Sequence, residues 1–524
     1  MKGPTPWRTD PPRPARTLLA VALLLLSLLP LASQVAVAQD ILHVAEGETV
    51  VITEDTSLNT HYISVAGTLV IDGADFSTVD RGKLIIMDTY INVTGCLRIV
   101  NGSWFAGMYW MRVHQGASVE IVDSRVSGGS SHKCSIHLED ASLRSVRSTI
   151  DCDGFLHGER SDVVLASTVV SDDHGFYEEL WLNLTDRSNL TIEHTNISHS
   201  TPLIVCEDAT NVSINGSTLS TSAGDLLTVD GADGLHVRDC SLLHGNRGIR
   251  AGDVGNVTIE DTRMTGQGGP ACHLSWVDAV SVDGLDIDDC ADAGLNVTNC
   301  TDVSVVDLDV EGVSGDGPGF MTEHSKALSA TGVDVRYAKH GVYMVHTDNV
   351  TMTHVDVDWC QFYGVRLSYC DGVDVRHISA TEAGIDGLYA GWCRGLEVEE
   401  ADLDGAGQCG AYLTHTSASM TRVTARTCGQ HGVRAATHSV FLVDCDLSYN
   451  LEDGLHSVSQ GGVGLTDCIV EANGDDGVEL AAARTPFLKG CQVRENRGAG
   501  VRAHYETRAA DVLGIGRKTL HRKL

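Results

Sequence analysis

The chain has 524 residues, with 37 Lys and Arg against 70 Asp and Glu, 55 glycines, 10 prolines and 5% aromatics. A formal charge of −33 repels phosphate backbones and excludes nucleic acid as a partner. The length would fill two to four ordinary domains, a count that repeat architectures escape because each unit needs only its neighbours.

At the N-terminus, Lys2, Arg8, Arg13 and Arg16 precede the apolar run TLLAVALLLLSLLPLA, and the segment ends Ala36-Val37-Ala38. A positive end, an apolar stretch and a small-residue site predict a signal peptide over residues 1–38, cleaved after Ala38. An uncleaved anchor is the alternative, and Pro30 with the Ala-Val-Ala site favours cleavage. No later stretch is apolar enough to span a bilayer, so the expectation is an extracellular or cell-surface protein with no membrane span in the mature chain. Without residues 1–38 the balance is 33 Lys and Arg against 69 Asp and Glu, a charge of −36. In an exported chain, eleven N-x-S/T sequons from Asn92 to Asn349 are candidate glycosylation sites, although Asn-Val-Thr is also a plain turn-then-strand pattern.

The repeat decides the fold. Gly followed by an apolar residue recurs at Gly248, Gly294, Gly319, Gly341, Gly364, Gly387, Gly410, Gly432, Gly454, Gly477 and Gly500, and from Gly341 onward the steps are 22 or 23 residues. Each coil carries a second alternating segment, such as VDVRHIS at 373–379 and VFLVDCDL at 440–447. Such a short coil cannot bury its apolar face alone, so coils must stack with strands in parallel. Upstream, 63–76 and 96–105 read as earlier, less regular coils. The prediction is all-β: one parallel β-helix over residues 39–508, of about 20 coils of 22–23 residues, followed by a basic tail at 509–524.

Four residues before the repeating Gly stand Asn450, Asn473 and Asn496, in the turns NLEDG, NGDDG and NRGAG. Inward Asn at successive turns can form a hydrogen-bonded ladder. With these turns the chain resembles the right-handed parallel β-helix repeat superfamily. That group includes pectate-lyase-like enzymes, carbohydrate-binding and sugar-hydrolase repeat proteins, and periplasmic copper-binding accessory proteins of nitrous oxide reductase. The resemblance covers nearly all the mature chain and implies the fold more than any activity.

Sixteen cysteines in an exported chain suggest disulfides. The spacing complicates that. Cys370 and Cys393 are one coil apart, as are Cys445, Cys468 and Cys491, and three stacked thiols cannot all pair. A ladder of buried free thiols is the favoured reading for the second set.

Aligned on the Gly, three rows carry chemistry. Two residues after it stand Tyr343, Arg366, Tyr389, Tyr412, Arg434 and His456; five after it stand Trp276, His324, His346, Tyr369, Trp392 and His415; one before it stand His340, Asp386, His431, Asp453 and Asp476. If the rows share a face, coils 340–456 present a strip on which Tyr343, Tyr369, Trp392, Tyr412, His415 and Arg434 would bind substrate. Rings stack on sugar faces, and Arg forks suit uronate carboxylates. Asp386, Tyr389, His340, Arg366 and His431 form the candidate catalytic set. The competing readings are cross-strand packing for the large outward residues and a turn role for Asp before Gly.

A second cluster includes His132, Asp151, Asp153, His157, Glu159, Asp173 and His174, from which His157, Asp173 and His174 are the candidate metal ligands; carboxylates alone would suit calcium. The functional expectation is a secreted or surface β-helix that binds polysaccharide along coils 340–456. A polysaccharide lyase, epimerase or glycoside hydrolase, and a structural envelope or adhesin rod, remain alternatives.

Overall fold

A computed structural model describes residues 41–58, 61–78, 89–128, 134–151, 156–171, 181–200, 203–483 and 485–504. The proposed signal peptide with its Ala38 cleavage site, and the basic tail, lie outside them. Among the described residues there is no helix, and the strands form parallel ladders. One sheet has 21 strands, from Ile41–Val44 at one end to Val501–Ala503 at the other; a second sheet has 29. With one first-sheet strand per coil and about 4.8 Å per step, the right-handed β-helix is a rod about 95 Å long.

Alternation within each strand decides which residues fill the rod. In Ala411–Thr414, Ala411 and Leu413 are buried while Tyr412 and Thr414 are half-exposed. The inward position pairs coil to coil as Val342, Val365, Leu388, Ala411, Val433, Leu455 and Val478. All seven are buried, and each larger aliphatic contributes about 1.5–3 kcal/mol by leaving water.

The repeating Gly has a steric cause. A Cβ on Gly341 would lie 1.9 Å from Val357 Cγ1 and 2.6 Å from the carbonyl of Gly364. On Gly364 it would meet the carbonyl of Gly387 at 2.7 Å. The next coil lies too close for any side chain, so the Gly spacing records the coil length.

The Asn ladder is present, with backbone groups as its main partners. Asn473 Oδ1 accepts from the Asn450 N–H at 2.9 Å, and Asn473 Nδ2 donates to the Leu447 carbonyl at 3.0 Å and to Asn496 Oδ1 at 2.9 Å. Asn450 and Asn496 bond their neighbours in the same way. The Asn473 side chain ties three coils together.

Fourteen described cysteines are free thiols, among them Cys370, Cys393, Cys445, Cys468 and Cys491; Cys134 is in a disulfide. The disulfide framework suggested by the cysteine count is absent among these residues, because the thiols do another task. Cys370 Sγ donates to the Ser368 carbonyl at 3.4 Å and to the Met344 carbonyl of the preceding coil at 3.7 Å. At the same inward turn position in other coils, Ser325 bonds the carbonyls of Glu323 and Val297, and Thr416 those of Thr414 and Ala390. Cysteine here stands in for Ser and Thr as a small buried donor.

Candidate functional site

The row two residues after the Gly is a continuous ladder on the outward face of the first sheet. Tyr343 pairs with Arg366, Arg366 with Tyr389, Tyr389 with Tyr412, Tyr412 with Arg434, and Arg434 with His456. The Arg366 guanidinium carbon lies 4.7 Å from the Tyr343 ring centroid, 5.3 Å from Tyr363 and 5.6 Å from Tyr389. Arg434 sits 4.9 Å from the Tyr412 ring, and the Tyr389 and Tyr412 rings meet edge to face at 5.6 Å. The rings hold each guanidinium by cation–π attraction, and Arg366 Nε is buried with no hydrogen-bond partner among the described residues. Tyr363 belongs to this group and was missed from sequence, although it occupies the position before the Gly that was read in neighbouring coils.

A second ladder flanks the first, at the turn where each coil leaves the first sheet. The rings of His324 and His346 stack at 4.8 Å and 4°, His346 and Tyr369 at 4.9 Å and 15°, Tyr369 and Trp392 at 6.0 Å and 10°, and Trp392 and His415 at 3.8 Å and 2°. Tyr369 and Trp392 are about half exposed, at 49% and 50%. The turn needs a left-handed backbone: φ is 57° at Tyr369, 61° at Trp392 and 51° at His415. Earlier coils meet this need with Asp208, Gly231 and Asp253, residue types suited to it. Bulky rings tolerate the conformation poorly, so their run here points to a use for their exposed edges.

The third row is a correction. His340, Asp386 and His431 do not face outward; they are 9%, 2% and 7% exposed at the turn entering the sheet. Of the row, Asp386, His431, Asp453 and Asp476 cap the next coil. Asp386 Oδ1 accepts the Cys409 N–H at 3.0 Å, His431 Nδ1 the Asp453 N–H at 3.3 Å, Asp453 Oδ1 the Asp476 N–H at 2.9 Å, and Asp476 Oδ1 the Ala499 N–H at 2.6 Å. The turn role therefore holds for Asp386, His431, Asp453 and Asp476, and catalysis by Asp386 or His340 would act from beneath the ladder.

Two of these groups lie under the tyrosines. The His340 ring stacks on Tyr363 at 5.4 Å and lies 5.5 Å from Tyr343. Burial, then the charges of Arg366 and Lys339, push its pKa down to about 4, which keeps it neutral, and its Nδ1 is buried with no partner among the described residues. Burial also pushes the Asp386 carboxyl up to about 6, and raises the Tyr363 and Tyr389 phenols. A guanidinium, phenols, a neutral imidazole and a carboxyl that titrates near neutrality form a set suited to holding an anion and moving a proton beside it.

The other cluster is only partly described. Asp173 and His174 lie outside the described residues, as do His132 and Asp153. His157 is half-buried with its ring 5.9 Å from that of His137. Glu159 is engaged by Arg160, which also bonds Asp140 and Asp186. One and two coils beyond Tyr412, His431, Asp453 and His456 bring ring nitrogens and a carboxylate within 4.8 Å of one another, a grouping not read from sequence.

A sequence model described as a right handed beta helix region matches residues 202–328, 318–432 and 409–512, more than half of the chain. No curated protein sequence matches. Among solved structures, the periplasmic alginate epimerase AlgG is similar at 9% identity, covering 82% of this chain and 81% of that one, with a TM-score of 0.25. The A-module of mannuronan C-5 epimerase AlgE6 from Azotobacter vinelandii is 10% identical over 86% of this chain and 92% of that one, with a TM-score of 0.15. Bacteriophage CBA120 tailspike protein 3 is 9% identical over 80% of this chain and 54% of that one, with a TM-score of 0.15.

Proposed function

The chain belongs to the right-handed β-helix family, and on that premise we propose that it is an exported protein that binds an acidic polysaccharide along the first sheet between Tyr343 and Arg434. The observation that carries this reading is the pair of parallel ladders. One row alternates tyrosine with ring-held arginine, and the other presents the exposed edges of the stacked Tyr369, Trp392 and His415 rings in register beside it. A glycan lying along the rod would pack against the ring edges and offer carboxylates to Arg366 and Arg434. The chain's formal charge of −33 opposes a polyanion, but the outward row from Tyr343 to Arg434 contains no acid, so the local surface is favourable. Calcium would help by screening the acids elsewhere.

A second reading, turnover of the bound glycan as a lyase, epimerase or hydrolase, is favoured by Asp386, His340, Arg366 and Tyr389 lying in one perturbed cluster. Incubation with a panel of neutral and uronic-acid polysaccharides, with and without calcium, separates the readings. Retention of uronate polymers that is lost in the Tyr389→Ala, Trp392→Ala double variant supports binding. New chain ends or altered sugar stereochemistry, lost in Asp386→Asn while retention persists, supports turnover. Neither effect across the panel would leave a structural rod as the account.

A further inference from the structure

The glycan reading uses the ladder as far as Arg434. Beyond Arg434, on the coils of Gly432 and Gly454, His431, Asp453 and His456 bring two ring nitrogens and a carboxylate oxygen within 4.8 Å of one another, and Glu479 on the next coil borders His456. His431 Nδ1 lies 3.3 Å from Asp453 Oδ2, and His456 Nδ1 lies 3.2 Å from the same oxygen. Glu479 Oε2 is 2.6 Å from His456 Nδ1. The His431 and His456 rings stack at 4.7 Å. His431 and Asp453 are buried, at 7% and 3% exposed, while His456 is half-buried and gives the group a path to solvent.

The inward-facing atoms bond chiefly one another, His456 Nδ1 with Asp453 Oδ2 at 3.2 Å among them, contacts that an ion would replace. Asp453 Oδ1 is occupied by the Asp476 N–H at 2.9 Å, which leaves Oδ2 for the shared point. Glu479 Oε1 is 2.7 Å from His504 Nε2, which leaves Oε2 beside His456. His431 Nε2 faces Glu452 Oε2 at 3.2 Å, so a proton on Nε2 puts the ring's lone pair on Nδ1. That lone pair receives only a 3.3 Å hydrogen bond from the Asp453 N–H and otherwise confronts a carboxylate oxygen. A lone pair facing an anion is repulsive unless a cation lies between them. A carboxylate that fixes the far nitrogen of an imidazole is the outer-shell arrangement that orients metal-bound histidines.

We propose that His431 Nδ1, Asp453 Oδ2 and His456 Nδ1 form a three-ligand binding site for one divalent transition-metal ion, at the C-terminal end of the outward ladder, with Glu479 Oε2 beside His456. Neighbouring ligand atoms around an ion with bonds of about 2.1 Å are about 3.0–3.4 Å apart, which the two Nδ1 to Oδ2 separations of 3.3 and 3.2 Å already match. Two imidazoles and a carboxylate suit zinc and its neighbours in the transition series; calcium takes oxygen ligands and would leave both imidazoles unused. The residues differ from His157, Asp173 and His174, which the sequence suggested for a metal.

The test strips the full chain of metal with chelator, adds zinc or calcium, and measures ion retained per chain by mass spectrometry after gel filtration, with titration calorimetry for affinity. The proposal expects one zinc per chain and no tightly held calcium. His456→Gln and Asp453→Asn should abolish stoichiometric zinc uptake, and Glu452→Gln should weaken it by about tenfold or more. Asparagine at 453 keeps the oxygen that caps Asp476. If that variant nonetheless unfolds the last coils by circular dichroism, the half-buried His456→Gln supplies the answer. Zinc that is not retained, equal retention in the folded variants, or calcium binding as tightly as zinc would each overturn the assignment. None of these readings depends on whether a glycan binds.

Discussion

Asp386→Asn should make the protein more stable at neutral pH, and by an amount that grows with pH. The carboxyl is 2% exposed, and burial raises its pKa from 3.8 to about 6. A group raised on folding contributes stability that is fully present below its unfolded pKa and is lost as pH rises through its folded pKa. Below pH 4 Asp386 is neutral in both states. Between about 4 and 6 the unfolded chain ionises first, and above 6 the folded state must carry a buried charge. A shift of about two units corresponds to about 3 kcal/mol. Asparagine is neutral throughout and keeps an oxygen to accept the Cys409 N–H, now 3.0 Å from Asp386 Oδ1. The stability difference between variant and wild type should therefore rise by up to about 3 kcal/mol from pH 4 to pH 8. His340 works in the opposite direction: its lowered pKa favours the folded state above pH 6.5, and that advantage fades as pH falls through 4. It is common to both chains and cancels in the difference. Because stacked coils unfold in sections, coil-resolved hydrogen exchange is the appropriate assay. A difference that stays flat with pH would refute the assignment of a strained carboxyl. A confirmed rise would mean that the chain carries an acid where asparagine would be more stable, as expected of a functional group.

Asn473→Ala removes the acceptor for the Asn450 N–H and the donor to the Leu447 carbonyl in a fully buried turn, a loss of about 2–6 kcal/mol at 1–3 kcal/mol per orphaned group. Proteolysis of the last coils should accelerate in step, and a change under 1 kcal/mol would contradict the ladder. Cys370→Ser should be nearly neutral because it keeps the bonds to Ser368 and Met344, whereas Cys370→Val should lose about 1 kcal/mol, as read by urea unfolding. Thiol labelling of the native chain should reach Cys96 and Cys491, the half-buried pair among the described free cysteines, and spare buried ones such as Cys206 and Cys428, whose thiols burial pushes up to about 12. Rapid labelling of Cys206 or Cys428 in the folded state would count against the packed core.

The coil was legible from sequence wherever its Gly is sterically required. The same position holds Leu203 and Leu226, both fully buried, in coils where the next turn leaves room, and there the spacing signal disappears. Farther upstream the strand starts at Ile41, Tyr62, Thr89, Tyr109 and Cys134 are unevenly spaced, so no fixed period marks them. The outward row was legible residue by residue, because turns absorb length changes and leave strand register intact. Direction was not. Position alone did not tell that His340, Asp386 and His431 are buried, the last two to cap the next coil, nor that His431 and His456, on different rows, meet at Asp453. Tyr363 escaped because only acidic and imidazole residues were sought before the Gly, although it shares the position of His340 and Asp386.

The account's central claim is that glycan lies along the first sheet between Tyr343 and Arg434. Hydrogen exchange of the purified chain with and without a uronic-acid polymer, in calcium, tests it most directly. The account predicts protection concentrated in His340–Val345, Tyr363–Ser368, Asp386–Gly391, Ala411–Thr414 and Val433–Ala436 and in the turns carrying Tyr369, Trp392 and His415. Binding that protects only the second sheet, or protection of these strands that survives Tyr389→Ala with Trp392→Ala, would contradict it.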